Sequence, residues 1–358
     1  MRKNSSSTAS ALGLLLLGGA LALGSCKKST PDPPAPPPPV PSNVFAAGYE
    51  ENAAKNGIAK YWKNGVATTL TDGTNDAQLA DIAVAGADVY AAGYETNTAG
   101  NAIAKIWKNG TATSLTSSSN YGSLSGIIVA GTDVYAAGYE FSGTGQFVAK
   151  VWKNGTATVL NSTATRLPVT SGLAVVGSDV YVAGYELNVA TTQSVAKVWK
   201  NGTATTLTNV ANDGYAADVA VAGADVYVAG YETNASGKGV AKIWKNGTAT
   251  ALNDGTRDAV ANSVVVVGND VYVAGVELNA AGKGVAKIWK NGTATALTDG
   301  LTDAFASCVV LVGTDVYASG YERNAAGKDV AKSWKNGTAT VLSDGKNNAY
   351  AQDLILAL

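Results

Sequence analysis

The 358-residue sequence contains no histidine, so the commonest general acid/base and the commonest imidazole metal ligand are both missing. Any chemistry would have to come from carboxylates, phenols or the two cysteines. Asp76, Asp213, Asp258 and Asp303 recur at one aligned position and are candidate ligand-binding residues. Five residues downstream lies a second position, held by Asp81, Asp218, Ser263 and Cys308, with Asp353 in the same group. Asp81, Asp218 and Asp353 could turn oxygens towards one axis and hold a hard cation such as calcium. The commoner use of aspartate at such places is turn capping, and no other cofactor is implied. Aromatic residues form the other set: Tyr215, Phe305 and Tyr350 share an aligned position three residues before a strand, with Tyr121 nearby in its own unit. Rings there suit stacking on sugars or on apolar patches of a partner, or else they fill space between sheets. Cys308 aligns with Asp, Ser and Gly, which marks a tolerated small residue; a thiol nucleophile would have no histidine to activate it. Seven glutamates from Glu50 to Glu322 each precede a lysine, Lys60 to Lys332, by ten or eleven residues. Cross-strand ion pairing explains these pairs more simply than a ring of axial carboxylates.

These positions align because one unit is written seven times. Tryptophans fall at 62, 107, 152, 199, 244, 289 and 334, a spacing of 45 with one interval of 47. Each unit carries four short runs rich in Val, Ile, Thr, Tyr and Trp, separated by Gly, Asn and Asp. Asn-Gly recurs at 64-65 and six later places, the two-residue turn that matches strand twist, and should join the third and fourth strands. Gly-x-Asp, as in Gly86-Ala87-Asp88, should join the first and second. The first unit begins at its second strand, Asn43 to Glu50, and the last segment, Ala351 to Leu358, reads as a first strand without a successor. The two ends complement each other. Such closure leaves no unpaired sheet edge at the seam, whereas an open stack would need polar capping repeats. The expected fold is all-β: a seven-bladed β-propeller over residues 42–358, four antiparallel strands per blade, closed by the C-terminal strand.

Ahead of the ring, Arg2, Lys3 and the apolar run Ala11 to Leu23 form a targeting segment, residues 1–25, too short for a permanent span. Leu23-Gly24-Ser25-Cys26 resembles the bacterial lipobox, which implies cleavage before Cys26 and acylation of that residue. Acyl chains there would anchor the chain in a membrane. Residues 26–41 then form a proline-rich tether, whose extended form reaches roughly 40 to 45 Å. With Trp-Lys-Asn-Gly once per blade, from Trp62-Lys63-Asn64-Gly65 to Trp334-Lys335-Asn336-Gly337, the chain resembles the highly repetitive propellers of bacterial lipoproteins. That group carries no assigned chemistry, so the resemblance implies fold and location alone. The Gly-His and Trp-Asp marks of WD40 repeats and the Ser-x-Asp-x-Gly-x-x-Trp box of sialidases are missing, and their functions do not transfer.

The tight turns barely change between units, while the loops joining strand four to the next strand one, and strand two to strand three, vary. Both extra residues of the 47-residue interval fall on that variable face. The sequence therefore suggests a cell-envelope lipoprotein, outer-membrane anchored through Cys26, acting as a non-catalytic binding module for a glycan, peptide or protein. A scaffold within an envelope complex is the alternative, and a carboxylate/tyrosine lyase or hydrolase ranks below both. Seven near-identical units offer no asymmetric catalytic set. A formal charge of −1 speaks against nucleic acid. The ring should be a monomer whose partners are the membrane and a glycan or envelope protein.

Overall fold

The computed structural model describes residues 43–141, 147–160, 166–188, 190–209 and 211–357. The expected targeting segment, Cys26 and the tether lie outside the described residues, as do parts of both loops expected to carry the extra residues.

Alternating apolar residues punctuated by tight turns give strands throughout, and no helix occurs among the described residues. They form seven four-stranded antiparallel sheets. Blade 5 shows the plan in chain order: β16 (Gly214–Ala222), β17 (Asp225–Thr233), β18 (Gly239–Lys245) and β19 (Thr248–Ala251). In blade 1, β1 (Asn43–Glu51), β2 (Gly57–Lys63) and β3 (Val66–Thr69) are completed by β28 (Ala349–Ala357), with Val44 opposite Leu356 and Ala46 opposite Leu354. The expected closure is therefore present. Blades 2, 3, 4, 6 and 7 follow the blade 5 plan, each centred on its own tryptophan, 107, 152, 199, 289 or 334.

Each Asn-Gly turn has both residues at positive φ, 50° for Asn246 and 82° for Gly247, which only the mirror-image two-residue turn requires. The outermost strands are four residues long and exposed, as in Thr248–Ala251, so the free edges offer little template for aggregation. Buried alanines on the inner strands let neighbouring blades approach, and the tryptophans fill the space between them; Trp199, Trp244 and Trp289 are fully buried. At about 25 cal/mol per Å², 150 to 250 Å² per ring contributes roughly 4 to 6 kcal/mol of gross burial at each.

One device repeats in every blade. The first strand carries a β-bulge opposite a glycine of the second strand, in blade 5 between Ala216 and Asp218 opposite Gly230 of the Ala-Gly-Tyr run. A Cβ on Gly230 would stand 1.9 Å from the Tyr215 carbonyl oxygen, and one on Gly93 would stand 1.9 Å from that of Gln78. Glycine is needed there because the bulge pushes a carbonyl into its side-chain space.

Candidate functional site

The bulges decide what faces the ring axis. The residue each bulge releases lines a central passage of about 520 Å³ to which all seven first strands contribute; Ser125, Asn262, Ser307 and Gln352 are among them. The next residue in each strand is the second aligned position of the sequence, and its side chain reaches sideways to the following blade. Asp81 accepts the Ile82 N–H at Oδ1 (2.7 Å) and the Ile127 N–H of the next blade at Oδ2 (2.6 Å). Asp218 does the same with Val219 (2.8 Å) and Val264 (2.9 Å). In blade 6, Ser263 Oγ accepts the Val309 N–H at 3.3 Å, and in blade 7 the Cys308 thiol donates to the Leu354 carbonyl at 3.6 Å. Gly126 and Gly172 occupy the position in blades 3 and 4, where a Cβ would meet Leu173 at 2.9 Å and Asp218 at 2.6 Å.

These side chains act as bolts between blades. Asp353 accepts the Ile82 N–H at 3.2 Å, the amide that Asp81 also holds, so two carboxyls meet across the closing seam. Burial, followed by the adjacent Asp353, pushes the Asp81 carboxyl well above the usual range. Burial likewise moves Asp218 up to about 6, against the lowering pull of its two amides. Burial also raises the Cys308 thiol, which leaves it a weak nucleophile at neutral pH. Asp81 and Asp218 thus use both oxygens on backbone amides instead of presenting them together on the axis. Among the described residues no three His, Cys, Asp or Glu groups gather as a metal would require.

The other four aspartates lie on the loop face, where each clips one blade's outer loop to its neighbour. Asp76 accepts the Gly57 N–H (2.7 Å) and the Tyr94 hydroxyl (2.7 Å), and Asp213 accepts the Ser194 N–H (2.9 Å). Asp258 accepts the Gly239 N–H (2.8 Å) and pairs with Lys238 (3.2 Å). Asp303 accepts the Gly284 N–H (3.1 Å) and pairs with Arg323 (3.2 Å). Each of the four thus bridges to an amide 19 residues earlier in the chain, which differs from local turn capping; the caps of that kind fall to Asp72, Asp254, Asp299 and Asp344, which accept an amide two residues on.

The aromatic set joins a belt of tyrosines from the second strands. Tyr215 meets Tyr185 edge-on at 4.4 Å and stacks on Tyr231 at 4.8 Å. Phe305 stacks on Tyr321 at 5.0 Å, and Tyr350 lies 4.9 Å from both Tyr49 and Tyr321. Tyr121 is exposed and lies outside these stacks. Tyr49, Phe305, Tyr321 and Tyr350 line a recess of about 520 Å³ that shares Asn262, Ser307 and Gln352 with the central passage. The recess is therefore the aromatic mouth of that passage. Burial pushes the Tyr49 and Tyr321 phenols up to about 12 and raises Tyr350 as well, so they present hydroxyl donors.

The repeated Glu and Lys residues pair within hairpins as expected: Glu50 with Lys60 at 2.6 Å, Glu186 with Lys197 at 3.2 Å, and likewise in the other five blades. Sequence reasoning missed a second ladder on the tight-turn face. There Lys245 bonds Asp225 at 2.7 Å and lies over the Tyr227 ring at 5.2 Å. Asn246 accepts the Val226 N–H and donates to Asp225. The signal was present in the repeated co-occurrence of Asp-Val-Tyr with Trp-Lys-Asn-Gly, which is the sequence form of this clasp.

No family model and no curated protein matches the chain. Solved structures share its fold. A puromycin hydrolase S511A mutant complexed with PGG superposes with a TM-score of 0.58 at 13% identity over 87% of this chain and 53% of that one. A puromycin-hydrolysing peptidase of Mycobacterium tuberculosis gives 0.56 at 10% identity, covering 85% and 53%. The β-propeller domain of the trilobed protease from Pyrococcus furiosus, described as having an open velcro topology, gives 0.50 at 10%, covering 86% and 96%. The chain spans about half the length of the two hydrolases. At these identities the likeness carries the fold. A propeller of this shape occurs as a domain of a protease, and this overturns the expectation of a non-catalytic binding module or scaffold subunit. The tight turns are invariant because the lysine clasp and the positive-φ pair require those residues.

Proposed function

We propose that the ring is the substrate-admitting propeller of a peptide hydrolase whose cleaving centre lies outside the described residues. The observation that carries this reading is the continuity of the aromatic mouth with a passage lined by neutral amides and hydroxyls at Asn262, Ser307 and Gln352. Such groups match the alternating donors and acceptors of an extended peptide, while the mouth's rings suit its side chains. The names of three structural neighbours, a puromycin-hydrolysing peptidase, a puromycin hydrolase and the propeller domain of a protease, support the same class. Cleavage itself needs an activated nucleophile. The chain has no histidine, and its one described cysteine is buried with a raised pKa, so the chemistry is assigned to an associated hydrolase. In the same proposal Cys26 carries acyl chains and residues 27–41 hold the ring off a bacterial envelope membrane.

The test is a short unstructured peptide titrated into the isotope-labelled chain. Saturable shifts at Asn262, Gln352 and Tyr350, weakened by Gln352→Ala and without peptide cleavage, are expected. Shifts confined to the tight-turn face, or none at millimolar peptide, would reject the proposal, and so would cleavage by the purified chain alone.

A further inference from the structure

The blade interfaces share one packing scheme that fails in a single place. The residue before each tryptophan packs across to the next blade: Ile243 shares a buried cluster with Trp289, Ile288 with Trp334, and Val151 with Trp199. That residue is Tyr61, Ile106, Val151, Val198, Ile243 and Ile288 in six blades and Ser333 in the seventh. Directly opposite it on the second strand stands alanine in six blades, as in Ala229 and Ala274, and Ser319 in the seventh. Two apolar side chains have thus become hydroxyls on the face of blade 7 that meets blade 1.

The consequence is visible in the packing. The apolar contact that is one cluster at each other interface is split here, with Trp62, Ala46 and Ala331 in one part and Cys308, Tyr317 and Leu354 in the other. A cavity of about 300 Å³ opens between the blades, lined by Val44, Trp62, Tyr317 and Leu342 and, at its polar side, by Asn64, Ser333, Thr340 and Lys335, the last lying over one face of the Tyr317 ring. Ser319, across the strand pair from Ser333, is fully buried and its Oγ has no hydrogen-bond partner among the described residues. Ser319 does not line the cavity; it marks, with Ser333, the polar departure on this face of blade 7. Aromatic and aliphatic walls with a few polar groups are the lining of a small-ligand site.

We propose that this cavity binds a small aromatic molecule bearing one hydroxyl, its ring held by Trp62 and Tyr317 and its hydroxyl by Ser333. The site is separate from the axial passage and stands or falls without it. The probes are p-cresol and p-xylene, which differ in that hydroxyl, followed by NMR of the purified chain. Saturable shifts at the Trp62 indole and at Ser333 are expected, with p-cresol bound about tenfold more tightly than p-xylene, the effect of one good hydrogen bond. Ser333→Ile installs the side chain of three other blades; it should fill the cavity, abolish both shifts and raise the urea midpoint. Ser333→Ala should keep p-xylene and bring p-cresol down to its level. Absence of saturable binding, as for a cavity holding water alone, would overturn the proposal, and so would p-cresol binding unchanged in Ser333→Ile.

Discussion

Replacing Asp218 by serine tests whether the axial carboxyls are bolts between blades. The substitution copies blade 6, where Ser263 already holds the next blade's amide. In the wild type, burial holds the Asp218 carboxyl at about 6 against an ordinary value of 3.8. Between those values the folded chain keeps a proton that the unfolded chain has lost, so stability is fully present below pH 4 and falls as pH rises through 6. The separation is worth about 3 kcal/mol, a ceiling, because Asp218 keeps part of its surface on a passage that admits water. Serine removes this titration but gives up one amide bond, that of Val219, at about 1 kcal/mol. The variant should therefore be about 1 kcal/mol less stable at pH 3.5, equal near pH 4.5 to 5, and up to about 2 kcal/mol more stable at pH 7.5. Urea unfolding followed by tryptophan fluorescence across that range gives the difference directly, and shifts at other carboxyls cancel in it. A difference that stays flat with pH would overturn the burial-raised carboxyl, and a variant with no deficit at pH 3.5 would sink the bolt argument.

Three further outcomes follow from the same geometry. Gly230→Ala places a Cβ against the Tyr215 carbonyl and should cost about 3 kcal/mol by chemical denaturation, whereas Gly247→Ala, with open space around it, should cost only the strain of its positive φ; equal costs would show that the bulge does not set the requirement. Asn246→Ala should lose about 2 kcal/mol, from a residue at φ 50° and two hydrogen bonds, and Asn246→Gly should recover the backbone share. Removing residues 349–358 bares the β1 edge at Val44 and Phe45; size-exclusion chromatography should then show association, and a monomer with the wild-type unfolding midpoint would contradict closure by β28.

Much of this molecule is written in its period. Seven tryptophans at near-constant spacing, Asn-Gly turns and complementary ends led to seven blades and a seam, because each is a local signal with one geometric outcome. The axial carboxyls were harder. Asp81, Ser263 and Cys308 could be aligned, but their direction depends on a bulge whose trace in the sequence sits on the partner strand, as a glycine. Without the bulge the side chains would point along the axis, as a cation site needs; with it they turn sideways to the next blade's amide. The loop-face aspartates could be aligned, but their partners, amides 19 residues earlier at Gly57, Ser194, Gly239 and Gly284, are brought near only by the fold. Tyr215, Phe305 and Tyr350 were found by alignment, yet their neighbours Tyr49, Tyr185, Tyr231 and Tyr321 were absorbed into the strand consensus, so the belt they form together went unseen.

A sevenfold repeat makes conformity cheap to recognise and gives weight to each departure from it. Several departures lie in blades 6, 7 and 1: Asn262 and Gln352 at the passage, Phe305 at the mouth, Ser319 and Ser333 between blades 7 and 1, Arg323 between Asp303 and Asp329 on the loop face; others, Tyr121, Gly126 and Gly172, lie in blades 3 and 4. At the blade 5 and blade 6 interfaces Ile243 and Ile288 join a single apolar cluster with the next blade's tryptophan, the packing that Ser333 does not reproduce. The mouth's aromatic wall and the cavity at Ser333 both lie next to the non-covalent junction of β28 with β1 that holds the circle shut. Occupancy of the seam cavity would therefore strengthen that junction by mass action, since a ligand bound between blades 7 and 1 is lost when they part. Ring closure, measured as the urea midpoint, should rise with p-cresol in the wild type and stay fixed in Ser333→Ile.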